Sequence, residues 1–306
     1  MKQINQLLID PQVSMPKSGS VTYQDALKKW SERPTQLLSP PQSLLSLESV
    51  GRTDVGRDRI HNEDYFSIDQ QYFCMPDLPE GSHRGLYILC DGMGGMAKGE
   101  VASKLATTTL RSYLNSRWQC HLPTEIGLEL AINAANKEVF ERNQNENRAG
   151  SSRMGTTAVA LLVSNTQVRY IHIGDSRLYR LTRQHGLEQL TTDHNAYQQA
   201  LGQGYGSEAA YAYGQHLTKA LGPWSGESLH PRAHSFTVEE DTVLLLCSDG
   251  LSDHDLLENH VNSHVTGLLD FDTDLAQEMD QLMTLANQKN GHDNITAIAV
   301  RLRPQQ

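Results

Sequence analysis

The sequence predicts an α+β fold, and three features of the chain carry that prediction. Apolar runs such as "LYILCDG" and "TVLLLCSDG" are typical of buried strands. The stretches "TTAVALLV", "VRYIHIG" and "SRLYRLT" follow one another with short turns, which favours antiparallel neighbours. The helical patterns come in separate blocks, which favours α+β over a parallel βαβ alternation.

Three helices and a final strand are predicted in the main part of the chain. The first helix runs from Gly99 to about Leu114, and the second from Ala131 to Asn143 with apolar residues on one face. The stretch "TDLAQEMDQLMTLANQKNG" predicts a third helix that a glycine ends. "NITAIAVRL" then closes the chain as a strand.

Residues 1–47 are predicted to be an extension, separate from a domain over residues 48–304. Five of the 11 prolines fall in the extension, a composition typical of linkers. It contains one helical pattern, "TYQDALKKWSER", with Tyr23, Leu27 and Trp30 on one face. We expect this face to pack against the main domain, and the docking of a partner is the alternative.

Composition excludes several classes of function. The 306 residues are 38% hydrophobic and 20% charged, which is typical of a globular protein. No apolar run approaches the roughly 18 residues that span a membrane, and no signal peptide is evident, so we expect a cytoplasmic protein. The formal net charge of −10 argues against a nucleic-acid partner.

Acidic residues recur where apolar runs end. Asp91 and Asp249 each end a predicted strand, Asp175 lies between two strands, and Asp293 begins the last one. Taken singly, each could be a helix cap or a turn residue. If the strand ends converge, however, these residues and the pair in "RIHNEDYF" form an oxygen-rich pocket, which suits magnesium or manganese better than zinc.

The glycines of "DGMGG" suit a main chain that approaches a metal ion closely. The other interpretation is a nucleotide-phosphate loop after a strand. Neither G-x-G-x-x-G nor G-x-x-x-x-G-K-[ST] is present, which disfavours that interpretation.

Eight stretches, in this order, resemble the bacterial form of the metal-dependent serine/threonine protein phosphatases of type 2C (the PPM family). They are "RIHNEDYF", "LCDGMGGMAKGEVAS", "MGTTAV", "IHIGDSRLYRL", "LTTDHN", "LTKALG", "LLCSDGLSD" and "HDNITAIAV". The resemblance runs from about Val50 to Leu302. It implies a four-layer α-β-β-α sandwich of two antiparallel sheets flanked by helices, with a metal site in a cleft at one edge.

The resemblance also implies a role for each matching residue. Asp91 would bridge two ions, Mn²⁺ or Mg²⁺, and a third ion would lie between Asp175 and Asp249. Arg59 would bind the substrate phosphate. The implied metal ligands are Asp64, Asp91, Gly92 through its carbonyl, Asp175, Asp249 and Asp293, with Glu63 touching metal directly or through water. The implied chemistry is hydrolysis by a metal-activated water without a phosphoenzyme.

Two segments need separate comment. Bacterial members usually have "DGMGGH", but here Met96 takes the place of the histidine, and a thioether cannot donate a proton to a leaving alcohol. His61 or a metal-bound water could act instead.

The segment 196–216 corresponds to the family's flap, and its tyrosines would form an adaptable wall for substrate: Tyr197, Tyr205, Tyr211 and Tyr213.

The resemblance predicts a signalling phosphatase, a monomer that acts on phosphorylated proteins and opposes a serine/threonine kinase. One alternative is a pseudophosphatase that binds phosphoproteins without turnover, which the complete set of acidic residues disfavours. A metal-dependent phosphodiesterase or nuclease is the other, and the acidic charge balance disfavours it.

Overall fold

The computed structural model describes residues 43–73, 82–94, 98–118, 121–214, 216–226 and 229–305. Met96 and the helix predicted within "TYQDALKKWSER" lie outside the described residues. The described strands are β1 (Leu44–Asp54), β2 (Asp64–Phe73), β3 (Ser82–Met93), β4 (Gly155–Thr156), β5 (Ala158–Ser164), β6 (Gln167–Ile173), β7 (Arg177–Thr182), β8 (Gly186–Gln189), β9 (Ala233–Thr237), β10 (Thr242–Cys247) and β11 (Ile295–Pro304).

The described α-helices are α1 (Gly99–Arg117), α2 (Glu125–Asn145), α3 (Ala196–Gly202), α4 (Ser207–Tyr211), α5 (Asp249–Ser252), α6 (Leu256–Asn259) and α7 (Leu275–Asn290). Helix α2 begins six residues before the predicted start, because the Thr124 hydroxyl accepts a hydrogen bond from the Gly127 amide and caps it. No helix in the described ranges is both long enough and apolar enough to cross a membrane.

Two antiparallel sheets form the centre of the structure. One has the strand order β1-β11-β10-β7-β8, and the other has the order β2-β3-β5-β6-β9 with β4 beside β3. The predicted sandwich is therefore confirmed.

The middle strands are buried on both faces, which explains their unbroken apolar runs. In β10, Leu244 and Leu246 belong to the core between the two sheets, together with Tyr87 of the opposite sheet. Alternate β10 residues such as Leu245 pack on the other face against α7. The two-residue period of a strand thus fills two cores at once. A third core lies between the second sheet and helices α1 and α2.

The sheet begins earlier than the predicted domain boundary at residue 48. Strand β1 starts at Leu44 and pairs with β11 along its length, with Leu47 opposite Leu302. Leu44 and Leu47 are 3% and 5% exposed and join the core between the sheets. The sequence does not predict β1, because its buried residues do not alternate strictly with polar ones.

Strand β1 generates a stability prediction. Leu47→Ala should lower the free energy of unfolding by about 2–5 kcal/mol, because it opens a cavity in the central core. The matched control is Leu45→Ala in the same strand, where the side chain is 62% exposed. Urea unfolding measures both changes. Equal losses in the two variants would contradict the placement of β1.

Candidate active site

The predicted acidic residues come from both sheets and meet at one edge. Asp64 begins β2 and lies directly opposite Asp91 on β3. Asp249 follows β10 and Asp293 precedes β11, and because these strands are antiparallel neighbours, both residues lie at the same edge. Asp175 lies in the turn that leads from β6 in one sheet to β7 in the other.

Asp64 is the most deeply buried of these carboxylates, at 6% exposure. The Ser248 hydroxyl donates to its Oδ2 at 2.8 Å, whereas its Oδ1 is buried without a hydrogen-bond partner. Burial, and to a lesser degree the charge of Asp293, raise the pKa of Asp64 to about 6, although hydrogen bonds to the carboxylate oppose the shift.

The other aspartates show the same electrostatic effect. Burial raises the pKa of Asp91 well above its usual range, and repulsion from Asp64, Asp249, Asp175 and Asp293 adds to the shift. Burial likewise raises the pKa of Asp249, and its Oδ1 is a second buried oxygen without a partner. Burial raises the pKa of Asp175 to about 6. These groups are therefore close enough to destabilise one another's charged forms.

The structure gives a packing reason for Gly92. Its amide donates to the Glu63 carbonyl at 3.1 Å. A Cβ at Gly92 would collide with the main-chain oxygen atoms of Gly99 and Glu63, and a Cβ at Gly99 would collide with the Gly92 carbonyl. The two glycines let the start of α1 lie directly against β3.

Glu63 and Asp64 are neighbours in sequence but have different surroundings. The Glu63 Oε1 accepts a hydrogen bond from the Gly99 amide at 3.0 Å, so this side chain binds the N-terminus of α1. Its main-chain oxygen accepts another from the Ser103 hydroxyl at 2.6 Å. Glu63 thus fastens α1 to the edge of the sheet.

Arg59 lies at the rim of the cleft and is already paired. Its Nη2 lies 2.5 Å from the Asp293 Oδ2, while the Asp293 Oδ1 accepts from the Asn294 amide at 2.7 Å. Both oxygens of Asp293 are therefore occupied. Within the described part of the chain, no three Asp, Glu, His or Cys side chains are already positioned to hold a metal ion. Arg59 thus holds one carboxylate oxygen of Asp293 in an ion pair.

Part of the site is a cavity of about 380 Å³, with Tyr211 of the predicted flap in its lining. Asp175 and Asp249 line it, as do Asp253, the last residue of the "LLCSDGLSD" stretch, and His254, neither of which the sequence predicted as a site residue. Asp253 belongs to the charge cluster, since its repulsion raises the pKa of both Asp175 and Asp249. No sequence pattern distinguishes it from an ordinary turn residue.

The four flap tyrosines have different positions. Tyr211 lines the acidic cavity and is 74% exposed. Tyr205 and Tyr213 pack on each other, with ring centroids 5.3 Å apart, and Tyr197 is half-buried in α3. Of these four tyrosines, Tyr211 is therefore the one that lines the cavity.

The residues present suit a hard divalent cation. The set consists of oxygen donors, and the Oδ1 atoms of Asp64 and Asp249 are buried lone-pair donors without a partner. Carboxylates crowded in this way are unfavourable as anions unless positive charge or protons accompany them.

Comparison with known proteins agrees with this fold. Residues 61–297 match the protein phosphatase 2C family. The serine/threonine phosphatase stp of Listeria monocytogenes is 32% identical over 255 residues, which cover 81% of this chain and 93% of that protein. The protein phosphatase PhpP of Streptococcus pneumoniae is 30% identical, over 83% of this chain and 96% of that protein.

Solved structures agree as well. The Mycobacterium tuberculosis serine/threonine phosphatase PstP/Ppp is 29% identical with a TM-score of 0.66, covering 85% of this chain and 100% of that one. A structure of the PstP catalytic domain in complex with two manganese ions has a TM-score of 0.64 and 29% identity, covering 84% of this chain and 98% of that one.

The fold is that of the protein phosphatases of type 2C. The chain belongs to the protein phosphatase 2C family, in its bacterial form, and is a protein-serine/threonine phosphatase.

The raised pKa of Asp64 generates a prediction about the metal-stripped protein. Its folded pKa of about 6 exceeds the unfolded value of about 3.9, so the native state binds the extra proton between these values. Stability should therefore fall as pH rises through this window. Asp64→Asn should stabilise the stripped protein at pH 7 by on the order of 1–3 kcal/mol, and have little effect near pH 4.

Asp69→Asn is the matched control, and its expected effect on stability at pH 7 has the opposite sign. Hydrogen bonds from Arg111 hold the pKa of Asp69 below its usual range, so this variant should be destabilised at pH 7. Urea unfolding in a chelator across this pH range measures both variants. A loss of stability in Asp64→Asn at pH 7 would show that its carboxylate is not electrostatically strained.

Proposed function

We propose that this phosphatase hydrolyses phosphoserine and phosphothreonine in proteins with a metal-activated water and without a phosphoenzyme. The observation that carries the proposal is the convergence of Asp64, Asp91, Asp175, Asp249 and Asp293 at one edge of the two sheets. Asp64, Asp91, Asp249, Asp293 and the Gly92 carbonyl would hold two ions, Mn²⁺ or Mg²⁺, and Asp175 with Asp249 would hold a third.

The bound ions supply Lewis-acid chemistry, which lowers the pKa of a water molecule and neutralises the phosphoryl group. Arg59 would exchange its contact with Asp293 for the substrate phosphate. This exchange keeps the guanidinium paired with oxygen anions and frees one carboxylate oxygen for a metal ion. Arg59 would thereby couple the filling of the metal site to the binding of phosphate.

The thiols in the described residues support a mechanism without a covalent intermediate. Cys90 and Cys247 are both fully buried in apolar cores. Burial raises the pKa of each thiol to about 12, so neither provides a thiolate at neutral pH. Neither side chain lies in the cleft, and no cysteine nucleophile is proposed.

One assay separates the candidate functions. With manganese, the enzyme should release phosphate from a phosphothreonine peptide, but not cleave a phosphodiester or a nucleic acid. Binding of the phosphopeptide without release would favour the pseudophosphatase, and cleavage of the diester would favour the nuclease. The cytoplasmic location, the monomeric state and the opposing serine/threonine kinase remain predictions.

Variants of the proposed ligands give the second test. Asp91→Ala and Asp249→Ala should each remove nearly all turnover and reduce the rise in melting temperature that manganese causes. An ion that binds only the folded state adds about 2.7 kcal/mol at 100 times its dissociation constant. Asp175→Ala should retain the manganese effect but impair turnover.

The control is Asp280→Ala, which removes an exposed carboxylate paired with Arg52 outside the cleft. It should keep both turnover and the manganese effect. Full activity in Asp91→Ala, or in wild-type protein treated with a chelator, would be incompatible with the metal mechanism.

The Met96 position gives a third test, on proton donation. An aryl phosphate leaves without a proton, whereas a serine or threonine alkoxide gains from a general acid, typically by 10²–10⁴-fold. If Met96 marks a missing acid, Met96→His should raise peptide turnover far more than p-nitrophenyl phosphate turnover. The gain should follow a pH limb near a histidine pKa of about 6.5.

Two outcomes would point elsewhere. Equal gains on both substrates would mean that the side chain only shapes the cleft. No gain on either would leave His61 or a water as the donor, and His61→Ala in the natural Met96 background would decide between those two.

A further inference from the structure

A second cavity, of about 980 Å³, lies beside the acidic one and carries the opposite charge. Its charged lining includes Lys219 and Arg232. Asp193 and Asn195 line both cavities, so the segment 193–195 is the wall between them. A chain that leaves the acidic cavity over this wall would enter the second one.

The positive charge of the second cavity is not neutralised within the described residues. Among the described residues that line it, Asp193 is the one acidic side chain, and Arg177 binds that carboxylate through Nη2 at 2.8 Å, with Gln189 donating to it as well. Lys219 and Arg232 form no ion pair in the ranges that the structure describes. Two cations with no ion-pair partner among the described residues therefore share one cavity, in a chain whose net charge is −10.

The two cations also act on each other. Lys219 is half-buried, and burial together with the charge of Arg232 lowers its pKa from the usual range. An anion between the two side chains would relieve both effects, because it supplies an opposite charge that no residue in the described ranges supplies. The cavity thus has a charge that favours an anionic ligand over a neutral one.

A histidine pair makes one wall of the cavity rigid. The rings of His172 and His194 stack 4.7 Å apart and are nearly parallel. His172 Nε2 lies 2.9 Å from the Thr192 carbonyl, and the Gly174 amide donates to His194 Nδ1 at 3.1 Å. Burial lowers the pKa of His194 to about 3, so this wall is neutral and polar at neutral pH.

The same wall is joined to the acidic cleft. The His194 amide donates to the Gly174 carbonyl at 2.9 Å, and Gly174 immediately precedes Asp175. The two cavities are therefore held in a fixed relation by paired hydrogen bonds rather than by a mobile linker.

We propose that the second cavity is an anion subsite for the substrate chain. It would bind a carboxylate or a second phosphate carried by the same phosphoprotein whose phosphoserine or phosphothreonine enters the acidic cleft. The inference rests on the proposed function and adds the substrate class, namely phosphosites with an acidic group nearby in the chain. Free inorganic phosphate has the same chemistry and is the other possible source of the anion.

The test uses phosphothreonine peptides that each carry one glutamate, at a different position in each peptide. Each peptide is compared with one that has glutamine at the same position. Wild-type enzyme should prefer glutamate at one or a few positions, by roughly five- to tenfold in kcat/KM, mostly through KM. The preference should weaken at high salt, because the screening length becomes shorter.

The double variant Lys219→Gln/Arg232→Gln should lose this preference while keeping its rate on p-nitrophenyl phosphate. The matched control Lys137→Gln/Arg183→Gln removes the same charge from exposed sites outside the cavity, and should keep the preference. Lys219→Arg retains the charge and should also keep it. If the double variant loses its fold, the single Lys219→Gln variant replaces it and should show a reduced preference.

The outcomes separate the inference from the proposed function. Turnover of the peptides without any glutamate preference, or a preference that survives in the double variant, would overturn the subsite and leave the phosphatase activity standing. Failure to release phosphate from any peptide with manganese would overturn both.

Free phosphate is tested through Trp224, which lines the cavity and is 50% exposed. Inorganic phosphate is titrated while tryptophan emission is followed, with Trp224→Phe to isolate the signal of the cavity. A response of Trp224 to free phosphate, combined with no effect of peptide glutamates, would assign the cavity to free phosphate and overturn the substrate-chain subsite. A glutamate preference with little response to free phosphate supports it.

Discussion

The repulsion among buried carboxylates at the common edge of the two sheets is the constraint on which the site depends. Asp64 and Asp91 face each other across neighbouring strands, and Asp249 approaches from the other sheet. Like charges in such positions destabilise the fold, so they are tolerated where they serve a purpose. The sandwich makes the arrangement possible, because strands buried on both faces meet solvent only at their ends. A cation bound at that edge would offset the repulsion among the carboxylates and so stabilise the folded state.

Glu63, Asp64 and Asp293 make different hydrogen bonds and therefore have different roles in the structure. Glu63 binds the start of α1, and the glycine pair Gly92 and Gly99 allows this helix to lie against β3. Asp64, one residue later, points a buried and unpartnered oxygen into the charge cluster. Glu63 immediately precedes Asp64, which begins β2, so the contacts of Glu63 with α1 also constrain Asp64. Asp293 binds Arg59 through one oxygen and accepts a hydrogen bond from the amide of its neighbour Asn294 through the other.

The sequence predicts the fold class, the inner strands, the long helices and the family, because these depend on strong local patterns and ordered motifs. It does not predict β1, whose leucines follow no clean alternation and are buried only by pairing with β11 at the far end of the chain. The proximity of Asp175 and Asp249 could be expected from the motifs, but the partner of Arg59 could not, because a side-chain contact over more than two hundred residues leaves no local signal. The sequence does not predict the cation-lined cavity either, because Lys219 and Arg232 are separated in sequence and are brought together only by the fold.

An acidic enzyme repels an anionic substrate, and the two cavities together reduce that repulsion. The chain is strongly acidic and the proposed substrate is an anion, so long-range attraction cannot bring the two together. Without cations the acidic cavity repels a phosphate group, and metal ions cancel that repulsion only locally. Lys219 and Arg232 lie outside the acidic cavity, where they attract a second anionic group of the same chain without competing with the metal ions for Asp91 or Asp249. Asp193, which lines both cavities, is neutralised by Arg177, which lines the acidic one. Separation of the two charge patterns is thus what allows one protein to hold cations in one cavity and an anionic peptide across both.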